Sequence, residues 1–448
     1  MGPGYLILLM NEMDLDRGIQ SLVFTSFGSL PHTRVLCLSA IDSSWLRCLL
    51  PRISFGRGRH EAGVQLLLSA RGLTALGAGH KEIAALGAEF SHGMTHCPSS
   101  QRIGDVGRHA PTANWWTDRN HAAVLLLYGD APNSLDALAE EVTAGHPKSV
   151  IASLYLPSDG REHFGFLDGI TRVKIAVPGQ KDEQALPTGT VVFGHPDAAG
   201  STAKGGPLSH DGSLVVLREL RKDVQKFWDY WLAQASGDAH RAIYLASKAV
   251  GRWPNGMPLL PAQDREPPYD HTKLAISSFA NDRRGVGCPL GSHIRRANPR
   301  DGLLNSSELS EAISANHAIL RRGRNFGPAA PPEWYPQPLR SNLASGAAED
   351  PAALRGLFFI GLCTDIRRQF EFVMQNWIMS PKFAGLYNET DPLFANGETP
   401  QDFTIQTDGF SQHYSGVGGW ITPHGGGYYF LPGQNVLQRL AARRTPVR

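Results

Sequence analysis

No stretch of this chain reaches the ~18 uninterrupted apolar residues that a membrane-spanning helix requires. The short apolar run in the N-terminal MGPGYLILLMNEMDLDRG has no basic residue ahead of it and is broken at once by Asn11, Glu12 and Asp14. A secretory leader is therefore not expected, and the chain is expected to be soluble and cytoplasmic, with export by another route left open. Cysteine is scarce: the five residues Cys37, Cys48, Cys97, Cys288 and Cys363 are odd in number, scattered, and never form a CxxC. Neither a disulfide framework nor a structural zinc site is indicated. Charge of one sign is lacking too, since 43 Lys and Arg against 41 Asp and Glu leave a net charge of +2. The chain as a whole therefore attracts neither nucleic acid nor an anionic membrane, and any basic site must be local.

What is there suits a globular protein of more than one domain. At 448 residues the usual ~100–200 residues per domain predicts two or three. The strand-like segments TRVLCLSA (33–40), GVQLLLSA (63–70), HAAVLLLYGD (121–130) and GTVVFG (189–194) are short and aliphatic or β-branched. RGLTALG, HKEIAALGAEF and NSLDALAEEVTAG lie between them, with helical spacing and a closing glycine. After the Gly- and Ser-rich segment 195–212 the alternation resumes. GSLVVLREL, RGLFFIGLCTD and GGGYYFLPG read as strands, RKDVQKFWDYWLAQAS and IRRQFEFVMQNWI as helices. Two similar halves predict an α+β tandem pseudo-repeat with helices on one side of antiparallel sheets, and Pro- and Gly-rich surface loops at 251–270 and 325–348.

Three segments carry candidate chemistry. In HFGFLDGITR (163–172) every residue from Phe164 to Gly169 other than Asp168 is apolar or glycine. Asp168 either marks an Asp-Gly turn or is held in a pocket. In CPLGSHIRRANPRD (288–301) His293 is followed by Arg295, Arg296 and Arg300. Such a histidine is either a packed residue or a metal ligand beside guanidinium forks suited to carboxylates. In NHAILRRGRNFG (316–327) His317, Arg321, Arg322 and Arg324 form a basic run that is either a solvated face or a site. A nucleic-acid patch would want more aromatic partners.

Together the three segments resemble the dye-decolourising peroxidase family: GFLDG its GxxDG signature, CPLGSHIRRANPR its proximal-histidine segment, HAILRRGRNFG its distal-arginine segment. DRGIQSLVFTSFGSLPHTRVL, VGRWPNGMPL, LFFIGLCTDIRRQFEFVMQNW, ETDPLF and GGGYYFLPG extend the resemblance over about residues 14–440 in family order. Gly18 departs from the Asp frequent before Ile-Gln, and the loop between Arg324 and Leu357 is long. The resemblance implies two ferredoxin-like domains, 14–205 carrying GxxDG and 206–440 binding haem b. It implies His293 as the iron ligand, and Asp391 in ETDPLF as its carboxylate partner with Glu371 the fallback. Asp168 and Arg321 are the distal pair, Leu357 and Phe359 an apolar lining, and Arg295 or Arg296 a partner for a haem propionate. The activity implied is reduction of hydrogen peroxide through a ferryl porphyrin radical with oxidation of dyes or phenols. Trp377 or Tyr335 would serve as a surface relay for bulky reductants, and His163 or His317 are rival proton carriers. A haem carrier or sensor is the alternative, and a haem-free hydrolase lacks a nucleophile motif.

Overall fold

The computed structural model describes residues 16–170, 173–176, 185–275, 278–340, 352–394 and 401–443. Its first unit comprises β1 (His32–Leu38), α1 (Ser43–Leu49), β2 (Gly63–Leu68), β3 (Ala123–Gly129), α2 (Pro132–Thr143) and β4 (Lys148–Tyr155). These strands pair in the order β2-β3-β1-β4, antiparallel throughout. The second unit begins with β5 (Ser213–Lys222), α3 (Val224–Gln234) and α4 (Ala239–Val250), and continues through α5 (His293–Ala297) and α6 (Ser307–Asn316). It closes with β6 (Leu320–Arg321), β7 (Arg324–Phe326), β8 (Gly356–Cys363), β9 (Ile421–Leu431) and α7 (Gln434–Ala442). Its order is β7-β8-β5-β9, again antiparallel, with β6 also on β8. Both units follow the ferredoxin-like sequence second, third, first, fourth strand, so the fold is α+β.

The two sheets meet at both edges: Leu154 of β4 pairs with Phe326 of β7, and Leu68 of β2 with Phe430 of β9. We propose the division between residues 205 and 206 as the domain boundary, because it lies in the connection from β4 to β5. It parts two topologies rather than two cores, since α7 near the chain's end packs on α1 near its start.

Local chemistry accounts for the helices. Asp42, Asp223, Asp238 and Ser306 cap α1, α3, α4 and α6 by accepting hydrogen bonds from first-turn N–H groups. α3 buries Phe227, Trp228 and Trp231 on one face, the spacing of a core-facing helix. Segment 189–194 is not a strand but a 3-10 turn, Thr188–Thr190, followed by buried Val191 and Val192. A Cβ at Gly189 would lie 2.1 Å from the His195 carbonyl oxygen, so the chain folds back on itself there and buries its valines without pairing. The helix expected at IRRQFEFVMQNWI is wound as a π-helix over Arg367–Glu371 and Val373–Ile378. The bonds Glu371 N–H to Ile366 O at 2.9 Å and Met379 N–H to Met374 O at 2.8 Å show the wider turn. No helix among the described residues is long and apolar enough to cross a membrane.

Candidate active site

His293 opens α5, directly after its N-cap residue Ser292. Its Nδ1 lies 2.8 Å from Oδ2 of Asp391, while Nε2 has no hydrogen-bond partner among the described residues. Asp391 is fully buried, and its Oδ1 accepts from the N–H groups of Leu393 and Phe394, each at 2.9 Å. Burial raises the Asp391 carboxyl, but the His293 and Arg296 charges and these hydrogen bonds outweigh it and hold the group below the ordinary carboxylate range. An anionic partner on one ring nitrogen fixes the tautomer and makes the other nitrogen a better electron donor. Glu371 is elsewhere: also fully buried, it accepts from Arg102 at 2.9 Å and from the Tyr428 hydroxyl at 3.0 Å.

Arg295 and Arg296 are buried, and the hydrogen bonds they make among the described residues are to neighbouring protein groups. Arg295 bonds the Asp282 carboxylate at 3.1 Å, the Asp282 carbonyl at 2.9 Å and the Cys288 carbonyl at 2.8 Å. Arg296 donates to the carbonyls of Gly291, Trp377, Ser380 and Glu389. Both anchor the short helix that presents His293, and neither of these expected partners for a haem propionate is exposed at the surface. The third arginine of the segment is differently placed. Arg300 keeps a buried Nε without a hydrogen-bond partner. Burial and the Arg321 charge depress it, against the pull of Asp301. Arg252, pushed down to about 10 chiefly by burial, feels the charges of both Arg300 and Arg321. The sequence showed Arg300 but gave no means of ranking three neighbouring arginines, since what separates them is which carbonyls each can reach.

Arg321 lies directly opposite Gly361 in the β6–β8 pair, and Leu357, Phe359 and Gly361 alternate onto one face of β8. Arg321 therefore shares a face with Leu357 and Phe359, both half-buried, while Phe358 points the other way into the core and stacks on Trp116. Gly361 has no room for a side chain, because a Cβ there would sit 2.8 Å from the Phe359 ring. Arg321 is exposed and carries no ion pair among the described residues.

Asp168 is exposed, so of the two readings of the Asp-Gly pair the turn is the one present and the carboxylate is not held in a closed pocket. Its Oδ1 accepts from the Gly169 N–H at 2.7 Å, and Gly169 sits at φ +69° with open space where a Cβ would be. The Asp-Gly pair is thus a genuine turn whose glycine serves the backbone angle, and the second carboxylate oxygen has no partner among the described residues. The turn is held by its own N–H to Gly160 O and by Leu167 N–H to Pro254 O, both 2.8 Å, and by Phe166 stacked on Trp228. Asp168 and Arg321 do not pair with each other. The loop holding Asp168 docks on Pro254, two residues from the Arg252 that senses Arg321.

The rival proton carriers are engaged elsewhere. His163 is buried with Nε2 2.8 Å from Phe326 O, and burial with the Lys222 charge pushes it down to about 3. His317 bonds the Arg368 carbonyl and stacks 3.6 Å from the Phe372 ring. Trp377 and Tyr335 are both buried, each 4% exposed, and Tyr335 donates to His163 O at 2.7 Å. Neither is a surface aromatic.

The α+β tandem fold thus carries a carboxylate-paired histidine, an exposed arginine and an apolar strand face in its second half. No protein-family model matches the chain. It is 26% identical over 427 residues to Peroxidase 2 of Mycetinis scorodonius, covering 84% of this chain and 75% of that protein. It is 28% identical over 352 residues to the multifunctional dye peroxidase DyP2 of Amycolatopsis sp., covering 71% of each. Among solved structures, a dye-decolorizing peroxidase in complex with 2,6-dimethoxyphenol superposes with a TM-score of 0.77 at 23% identity, over 95% of this chain and 99% of that one. The DyP-type peroxidase of Anabaena sp. does so with 0.76 at 20% identity, over 97% and 95%. Over most of its length the chain is thus similar to dye-decolourising peroxidases in sequence and in fold.

Proposed function

We propose that this protein is a haem peroxidase that reduces hydrogen peroxide and oxidises dyes or phenols, and that His293 would hold its haem b, with Leu357 and Phe359 supplying apolar lining. The residues present fit that group. His293 offers a free Nε2 while Asp391 fixes Nδ1, which is the donor arrangement of a histidine-ligated iron. Arg300, with its unpartnered buried Nε, suits a propionate better than the internally bonded Arg295 and Arg296 do. When bound, haem supplies the electrons that peroxide accepts.

This chain's own residues then do three things. Asp168 takes the proton from one peroxide oxygen and returns it to the other, a task for its unpartnered carboxylate oxygen. Arg321 stabilises the negative charge that develops on the departing oxygen. Leu357 and Phe359 keep the reacting face apolar and limit competing water. The observation that carries the reading is the Asp391–His293 contact together with an exposed arginine and an exposed aspartate that form no ion pair among the described residues. A haem carrier would need the first of these and not the second.

The test is the optical spectrum of the haem-loaded protein before and after peroxide, followed by stopped-flow on Asp168→Ala and Arg321→Leu. The spectrum should change on adding peroxide, and each variant should slow that change by roughly 10²-fold or more. Variants that react as fast as the parent overturn the distal assignment.

A further inference from the structure

Four strands place one transverse row of residues directly opposite one another: Tyr428 on β9, Val216 on β5, Gly361 on β8 and Arg321 on β6. Directly opposed residues share a face. Tyr428 therefore belongs to the same face as Arg321 and Phe359, three strand spacings or about 14 Å from Arg321 along the sheet. Aromatic rings lead there from the candidate site. The Phe359 and Phe370 centroids are 5.9 Å apart, and those of Phe370 and Tyr428 6.4 Å.

Tyr428 is fully buried, and its hydroxyl donates to Oε1 of Glu371 at 3.0 Å. Oε2 of that carboxylate is held by Arg102 at 2.9 Å, with Arg367 at 3.5 Å. Burial, together with the Glu371 charge, raises the phenol well above its ordinary value, so it stays protonated until it is oxidised. A fully buried phenol on a carboxylate clamped by two guanidinium groups is more than packing requires, and nothing assigned so far uses it.

Behind this pair lies the surface. A cleft of about 650 Å³ has buried Leu86, Phe90, Phe193 and Leu214 in its lining beside charged residues of both signs, among them Glu89, Lys204, Asp365 and Arg367. Two of these connect to Glu371, Arg367 directly and Glu89 through Arg102 at 3.5 Å. An apolar lining beside charges of both signs suits a neutral amphipathic ring such as a substituted phenol.

We propose that Tyr428, with Glu371 as its proton acceptor, relays single electrons between the Phe359 face and a phenolic reductant docked in the cleft at Arg367. The proposal rests on the peroxidase reading above. In the first step Tyr428 gives one electron to the peroxide-oxidised cofactor and its hydroxyl proton to the Glu371 carboxylate, leaving a neutral phenoxyl radical. In the second a phenol in the cleft gives one electron to that radical and its own proton to water. Glu371 returns the first proton, restoring the Tyr428 hydroxyl, and the phenol leaves as its neutral radical.

The experiment is freeze-quench electron paramagnetic resonance of the haem-loaded protein after peroxide, with steady-state oxidation of 2,6-dimethoxyphenol alongside. The parent should show a tyrosine-type radical that Tyr428→Phe abolishes and that Glu371→Gln, a near-isosteric change, lowers about tenfold by removing the proton acceptor. Ala85→Trp, at an exposed position on the cleft, should keep the radical and raise KM for 2,6-dimethoxyphenol about tenfold, with little change in kcat. A tyrosine radical equally strong in Tyr428→Phe and Glu371→Gln overturns the relay, and an unchanged KM in Ala85→Trp overturns the docking site. If peroxide leaves the optical spectrum of the parent unaltered, the peroxidase reading has failed and the relay falls with it.

Discussion

Replacing Asp391 by asparagine tests the proposal that its carboxylate turns a packed histidine into a metal ligand. The carboxylate accepts three hydrogen bonds from a fully buried position, at 2.8 Å from His293 and at 2.9 Å from each of two backbone N–H groups. An amide keeps one acceptor oxygen. If that oxygen serves Leu393 and Phe394, the amide N–H₂ faces the His293 ring, and the imidazole must move its proton to Nε2 to accept, which blocks the nitrogen meant for iron. If the amide is flipped, two buried backbone donors lose their acceptor instead. Either arrangement leaves a buried polar group unsatisfied and removes a charge-assisted bond, a loss of about 2–4 kcal/mol in stability. Loss of such a partner also weakens metal affinity by about 10–100-fold. Urea unfolding of the apoprotein measures the first quantity, and haem titration followed by absorbance the second. The reduction potential of the bound iron should rise, because a less basic imidazole stabilises the ferric state less. A variant that unfolds less readily than predicted but binds haem with unchanged affinity and potential would refute the claim that Asp391 tunes His293.

Stability should fall with acid through His163. Its folded value is depressed to about 3 from ~6.5 in an unfolded chain, so below ~6.5 the unfolded state takes up a proton that the folded state refuses. The contribution is whole above that pH and fades as pH drops toward 3, by up to roughly 4 kcal/mol. His163→Gln should flatten this slope in urea titrations at pH 7 and pH 4, and an unaltered slope would assign the acid sensitivity to other groups. Gly361→Val should cost about 1–3 kcal/mol by forcing the Phe359 ring aside, read as a lower urea midpoint, and should disturb the face that Arg321 shares.

Hydrophobic patterning carried most of the fold. The strands at 33–40, 63–70 and 121–130 fall on β1, β2 and β3 within a few residues, because each is an aliphatic run buried on both faces. β4 was missed for the opposite reason: KSVIASLY is mostly exposed or half-buried and shows no alternation to read. The π-winding of 367–378 is equally invisible, since spacing of apolar residues does not separate one helical pitch from a slightly wider one. α4 passed unnoticed between two better-marked elements, although Asp238 caps it and Gly251 closes it. For the proposed site, His293, Arg321, Leu357 and Phe359 were named from short segments because each lies within a recognisable run. Burial could not be read in the same way. It turned Asp168 outward, drew Arg295 and Arg296 inward, and took Trp377 and Tyr335 off the surface, because those outcomes depend on segments far away in sequence. The Tyr428–Glu371 pair, 57 residues apart, is of the same kind.

The most direct test of the account is whether His293 holds the cofactor. Reconstitution of His293→Ala with haem b, beside the parent, should give a protein that binds haem at least ~100-fold more weakly, loses the spectrum of a histidine-ligated ferric haem and regains it with added imidazole. A variant that keeps the parent's spectrum, affinity and turnover without imidazole would contradict the account at its centre.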